Sequence, residues 1–154
     1  MGENKVVITD TSCFILLTKI DALDVLKELF TTVFTTPEIA EEFGDPLPEW
    51  VIVKPVTNRK TFHSYLGKVD RGEASALVLA DEIHADLLVI DDMKARKFAQ
   101  KIGFTLKGTL GLLIMARQEG VITELRPYLG RVQRTNFRVA KSLIEQCLRI
   151  VGER

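Results

Sequence analysis

The stretch "LLVIDD" (residues 87–92) sets four apolar residues against two adjacent carboxylates. The apolar run reads as a buried strand. Its ending needs a reason, because neighbouring carboxylates repel. Either they cap a helix or they belong to a site built for a cation. Upstream lies "DRGEASALVLADEIHA" (70–85), a helical pattern apolar on most faces. Downstream lies "MKARKFAQKIG" (93–103), a helix that Gly103 would close. A buried strand between two helices is the repeating unit of a parallel sheet.

The same alternation runs through the rest of the chain. "KVVIT" (5–9), "TVFTT" (32–36), "VIVKPV" (51–56, ending at Pro55) and a short "FTL" (104–106) read as strands. "SCFILLTKI" (12–20), "DALDVLKELF" (21–30) and "PEIAEEF" (37–43) read as helices, with Ser12 as a candidate N-cap just after Asp10. Further helices are expected over 58–68, 109–120 and 122–130, and an amphipathic one at about 137–151. The sequence therefore predicts one α/β domain over 1–154, its parallel sheet covered on both faces.

Composition narrows the function. The chain is 46% hydrophobic and 27% charged, ordinary for a globular protein. No apolar run reaches the roughly 18 residues of a membrane span. The opening "MGENKVVITD" has too short an apolar run for a signal peptide, so a cytoplasmic location is expected. Cys13 and Cys147 stand far apart without metal-ligand spacing, which argues for buried free thiols and against zinc. His63 and His84 sit in no motif. Net charge is zero, yet residues 1–50 hold ten acids and three bases. Residues 93–118 hold six bases (Lys94, Arg96, Lys97, Lys101, Lys107, Arg117) and no acid. Such segregation suits an anionic partner beside a cation site, although basic runs are also common on solvated helix faces.

Ligands of open α/β sheets bind outside the carboxyl ends of the strands. Acids at those edges are the candidates. Asp10 ends the first strand, and Asp91 and Asp92 end the fourth. Glu42 lies in the helix after the second strand. At about 100° per residue, Ile39 and Phe43 set that helix's core stripe and Glu42 falls about 80° from its centre. Glu41 falls opposite the stripe, and Glu38 and Glu41 are expected to face water. Glu73 opens the buried helix, where it can also close a capping box with Asp70. Two carboxylates about 4 Å apart cost about 4 kcal/mol at an effective dielectric near 20. A divalent cation that prefers hard oxygen, Mg²⁺ or Mn²⁺, would offset this, and could activate water against a phosphodiester. The basic run from Lys94 would seat the phosphates.

These segments together resemble the PIN-domain family. "VVITDTSCFILL" is similar to the family's opening, with Asp10 followed two positions on by Ser12. "TTPEIAEEF" is similar to the segment carrying its glutamate, and there the pattern selects Glu42. "DRGEASALVLA", "LLVIDDMKARKFAQKIGF" and "KGTLGLLIMARQEGVI" resemble a subgroup similar to VapC-type toxins. The resemblance spans about residues 6–122. It implies a three-layer α/β/α fold with about five parallel strands. It implies an Mg²⁺- or Mn²⁺-dependent endoribonuclease whose metal ligands are Asp10, Glu42, Glu73 and one or both of Asp91 and Asp92. Ser12 would orient a ligand or water. Lys94, Arg96, Lys97 and Lys107 would contact RNA. A homodimer and a cognate antitoxin partner are implied as well. Two departures stand out. The third family acid is an aspartate where this chain has Glu73, and two alignments compete for the last acid. The rival readings are a catalytically silent PIN-like module that binds RNA or protein, and a phosphohydrolase or receiver-like protein. The phosphatase would need an acid where Ser12 stands.

Overall fold

The computed structural model describes residues 5–154. Of the opening stretch read for a leader, residues 1–4 lie outside the described residues.

Five strands form one sheet: β1 (Val6–Thr9), β2 (Thr32–Thr35), β3 (Val51–Val53), β4 (Leu87–Val89) and β5 (Leu106–Lys107). All pairings are parallel, in the order β3-β2-β1-β4-β5. The chain builds outward from β1 to β3, then crosses over and builds outward again from β4. Strand order therefore reverses between β1 and β4, which is where such sheets open a ligand crevice. The register there pairs Val7 with Leu87 and Thr9 with Val89.

Helices cover both faces, giving the three-layer α/β/α arrangement. They are α1 (Thr11–Lys19), α2 (Asp24–Leu29), α3 (Pro37–Phe43), α4 (Arg59–Tyr65), α5 (Arg71–Glu82), α6 (Met93–Lys101), α7 (Thr109–Gln118), α8 (Arg126–Gln133) and α9 (Lys141–Ile150). Every residue of β4 is buried, and so is α5 from Ala74 to Ala80. Ile8, Leu88, Phe14, Leu77 and Leu112 are among the largest fully buried side chains. Cys13 and Cys147 are buried free thiols, and His63 and His84 are exposed.

Several boundaries differ from expectation. Asp10, not Ser12, is the N-cap of α1. Its carboxylate starts the helix at Thr11, two residues earlier than a hydroxyl cap at position 12 would. The helix expected over 21–30 begins at Asp24, because Asp21 takes a left-handed φ of 56° and breaks continuity with α1. In β3 the ladder ends where Lys54 N donates to Thr35 O (2.9 Å), since the following Pro55 has no N–H to continue it. The last helix begins at Lys141 rather than 137, with residues 137–140 irregular. Glu38, expected to face water, is 7% exposed and pairs with Arg59 at 3.3 Å. The contact comes from α4, a different element, so helical angle within α3 alone misplaces Glu38. No helix among the described residues is long and apolar enough to cross a membrane.

Candidate metal centre

The switch between β1 and β4 positions the first two acids. Asp10 N donates to Val89 O (3.1 Å), extending the ladder one residue beyond β1. Asp10 then turns into α1. Its Oδ1 accepts from Cys13 N (2.9 Å) and its Oδ2 from Asp91 N (3.3 Å). The side chain is 3% exposed. Burial pushes its carboxyl up to about 8, with the charges of Asp91 and Glu73 adding to that. The two amides pull the other way but do not restore an ordinary value.

Asp91 is half-buried and aimed at the start of α7. Its Oδ1 accepts from Thr109 N (2.8 Å) and its Oδ2 from Thr109 Oγ1 (2.6 Å). A helix start such as that of α7 favours an anion. The anion it receives is the chain's own Asp91. Asp92 is exposed and is the N-cap of α6, accepting from Ala95 N (2.9 Å). The paired carboxylates at the end of β4 thus cap two different helices, and both reach the acidic cluster through their charge. Asp91 raises the pKa of Asp10, and Asp92 raises that of Glu73.

Glu42 and Glu73 come from the other side. Thr11 Oγ1 donates to Glu42 Oε1 (2.6 Å), tying α1 to α3. Glu73 closes the anticipated capping box: Asp70 N donates to its Oε1 (3.1 Å), and Glu73 N donates to Asp70 Oδ1 (2.8 Å). Half-burial pushes Glu73 up to about 7, with Asp70, Asp92 and Glu42 contributing repulsion. Asp10, Thr11, Ser12, Glu42, Asp70 and Glu73 line one small cavity of about 30 Å³, room for a single water or ion. Glycine at position 72 makes this approach possible: a Cβ there would stand 2.8 Å from Glu42 Oε1.

The basic residues divide. Arg96 Nη1 donates to Ile90 O (3.3 Å) and lies over Gly108, where a Cβ would stand 2.5 Å from it and 2.9 Å from Asp91 Oδ1. Lys107, paired with Val89 across β4 and β5, lines the same groove as Arg96 and Asp91. Lys94 and Lys97 are exposed on α6 and line neither that groove nor the small cavity. Thr11, Asp70, Gly72 and Thr109 form part of the site and were not chosen from sequence. Only Asp70 and Thr109 carried a signal, as helix-start residues.

The donor set is chemically suited to a hard divalent cation. It consists of carboxylates from four chain segments, and two of them, Asp10 and Glu73, hold protons more tightly than usual, chiefly because they are buried and secondarily because other carboxylates stand nearby. Their oxygens are engaged by backbone amides and hydroxyls, and among the described residues no group of three or more forms a ready coordination shell. Ligation by Glu42 and Glu73 would therefore compete with Thr11 and with the α5 capping box.

None of the curated proteins compared with this chain matches it. A family model described as a PIN domain matches residues 6–153, nearly the whole length. PIN domains are usually nucleases and generally use divalent metal ions. The match agrees with the sheet order, the switch point and the acids gathered there: the chain belongs to the PIN-domain family.

Proposed function

We propose that the protein is an endoribonuclease that hydrolyses RNA phosphodiesters with Mg²⁺ or Mn²⁺ held by Asp10, Glu42, Glu73 and Asp91, with Asp92 at the rim. The observation that carries this reading is the convergence of Asp10, Glu42 and Glu73, from three chain segments, on one small cavity, with Asp91 and Asp92 near enough to add their charge. The bound ion would supply an acidified water and charge stabilisation for the leaving oxygen. The chain's residues do the rest. Asp10 is immobilised by two amide donors. Thr11 holds Glu42 in place. Thr109 fixes the orientation of Asp91. Ser12, exposed at the cavity wall, is placed to orient a water or a ligand oxygen. Arg96 and Lys107 stand beside Asp91 to neutralise the phosphates on either side of the scissile bond, and Lys94 and Lys97 extend the positive surface. By analogy with the subgroup it resembles, the biological setting is a homodimeric toxin restrained by a cognate antitoxin in the cytoplasm.

One observation favours the alternative of a silent module that binds RNA or protein: the acids are satisfied by protein donors and do not form a ready shell. Thermal denaturation in millimolar Mn²⁺ separates the two. The nuclease reading expects the wild-type melting temperature to rise by several degrees, and that of Asp10→Asn to stay put. No rise in the wild type supports the silent module.

A further inference from the structure

Ser12 lines two cavities. One is the small acidic cavity; the other is a hollow of about 210 Å³ between α1 and the segment that joins α8 to α9. Ile15, Leu16 and Lys19 of α1 border this hollow, with Asn136 and Phe137 of the joining segment. The segment is fastened to α1. Lys19 Nζ donates to Asn136 Oδ1 (3.0 Å), and Arg131 Nη1 of α8 donates to Ile20 O (3.1 Å). Thr135 Oγ1 accepts from Phe137 N (3.1 Å) and donates to Val132 O (2.6 Å), which fixes the backbone that presents Phe137. An ammonium only donates, so the amide oxygen of Asn136 has to face Lys19. Its Nδ2 is thereby turned away from Lys19 with two donors, and it has no acceptor among the described residues. Phe137 is half-buried and stacks on no other ring among the described residues.

We propose that this hollow is a nucleobase subsite that selects a base with a keto oxygen, uracil above cytosine, for a nucleotide lying beside the acidic cleft. The proposal rests on the RNA reading of that cleft. The hollow is smaller than the roughly 300 Å³ at which pockets for drug-sized ligands begin, so it suits one flat heterocycle. Single-stranded RNA is read in this way, by stacking an unpaired base on a ring and hydrogen-bonding its edge. Phe137 supplies the ring, Ile15 and Leu16 an apolar wall, and Asn136 the edge contact. With its oxygen taken by Lys19, Asn136 offers donors. A keto oxygen at position 4 of a pyrimidine accepts from them, whereas the amino group of cytosine there sets donor against donor. Lys19 and the neighbouring Arg138 are exposed cations for the phosphates on either side. Asn136 and Phe137 are thus specificity-determining residues, and neither takes part in the chemistry.

The test is fluorescence anisotropy with end-labelled oligouridine and oligocytidine, each about ten nucleotides long, on the full chain carrying Asp10→Asn so that nothing is cleaved. Asn136→Asp, Phe137→Ala and Phe137→Tyr are added singly to that background, with circular dichroism confirming that each folds. Oligouridine is expected to bind about tenfold tighter than oligocytidine. Asn136→Asp replaces donors by acceptors, so the preference should vanish or reverse. Phe137→Ala should weaken both oligonucleotides about tenfold, and Phe137→Tyr, which keeps the ring, should not. Equal binding of the two, no binding of either, a preference that survives Asn136→Asp, or affinities indifferent to Phe137→Ala would overturn the proposal. So would a dimer in sedimentation that Ile15→Asp dissociates, since a second copy would then fill the hollow. Base preference in this assay without RNA cleavage by the wild type would sink the nuclease reading and leave the subsite standing. Cleavage without base preference would do the opposite.

Discussion

Asp10 carries the sharpest consequence at the scale of single residues. Its folded-state pKa is about 8, against an ordinary 3.8. A carboxyl raised in this way favours the folded state fully below pH 4, where it is protonated folded or unfolded. That advantage drains away as pH rises through 8 and the buried group is forced to ionise. Metal-free wild type should therefore lose stability relative to Asp10→Asn between about pH 4 and pH 8. By pH 8 the variant should be more stable by about 2 kcal/mol, a discounted share of what the shift implies. Urea denaturation in a chelator at pH 4, 6 and 8 measures it, and a gap that does not widen contradicts the burial argument. Gly72→Ala makes a second test, since its Cβ would stand 2.8 Å from Glu42 Oε1. Glu42 must then leave Thr11, and Mn²⁺ affinity is expected to fall about tenfold, by titration calorimetry. Much of this scale was legible beforehand: helical angle selected Glu42 over Glu41, and strand ends selected Asp10 and the pair Asp91 and Asp92 without choosing between the two. Thr11 and Gly72 were not, because their roles are contacts across the sheet edge that no local pattern encodes. Glu38 shows the limit of helical angle. An acid read as solvated is buried because Arg59 of α4 comes to meet it.

Helix starts organise the site at the scale of elements. α1, α6 and α7 begin beside Asp10, Asp92 and Asp91, so the acids that crowd the cleft are also the anions that helix N-termini favour. The sequence posed capping and metal binding as alternatives for "LLVIDD"; the structure shows the helix-start contacts of both carboxylates and sets them beside the acidic cluster. Thr109→Val removes the hydroxyl that holds Asp91 Oδ2 while leaving the Thr109 backbone donor. It should cost about 1 kcal/mol of stability and release Asp91 to reorient, lowering Mn²⁺ affinity as well. Away from the cleft, Glu153 accepts from Arg117 Nε (3.0 Å), Leu125 N (2.7 Å) and Arg126 N (3.0 Å), pinning the start of α8 to the end of α7. These donors hold its carboxyl below the usual range, though burial opposes them. Stability from this group is thus present at neutral pH and lost as pH falls through its lowered pKa. Glu153→Ala should cost about 2 kcal/mol in chemical denaturation at pH 7 and much less in acid. Nothing in "VGER" advertises this role, because its three partners lie 27 to 36 residues away in sequence. Element types came through the sequence well, and boundaries failed where a left-handed residue broke a helix or a neighbouring side chain took the cap, as at Asp21 and Asp10.

For the whole molecule, zero net charge conceals two fields. The acids close around the switch point and would repel an RNA chain unless a cation neutralises them. The basic residues from Lys94 to Lys107 begin immediately beside that point. The parallel topology brings the two together, since reversing the strand order at β1 and β4 sets Asp10 next to the segment that leads into α6. The family and the α/β/α fold could be read from the alternation and the motif segments, whereas the arrangement of Arg96 over Gly108 needed the structure. The central claim is that the acidic cleft, loaded with a divalent cation, hydrolyses RNA. Its most direct measurement is cleavage of an end-labelled RNA in Mn²⁺ by wild type and Asp10→Asn, prepared identically and free of contaminating nuclease. Wild type should cleave and lose activity in chelator. Asp10→Asn should fold, bind the RNA and cleave at least about a hundredfold more slowly. Equal cleavage by the two proteins would contradict the account.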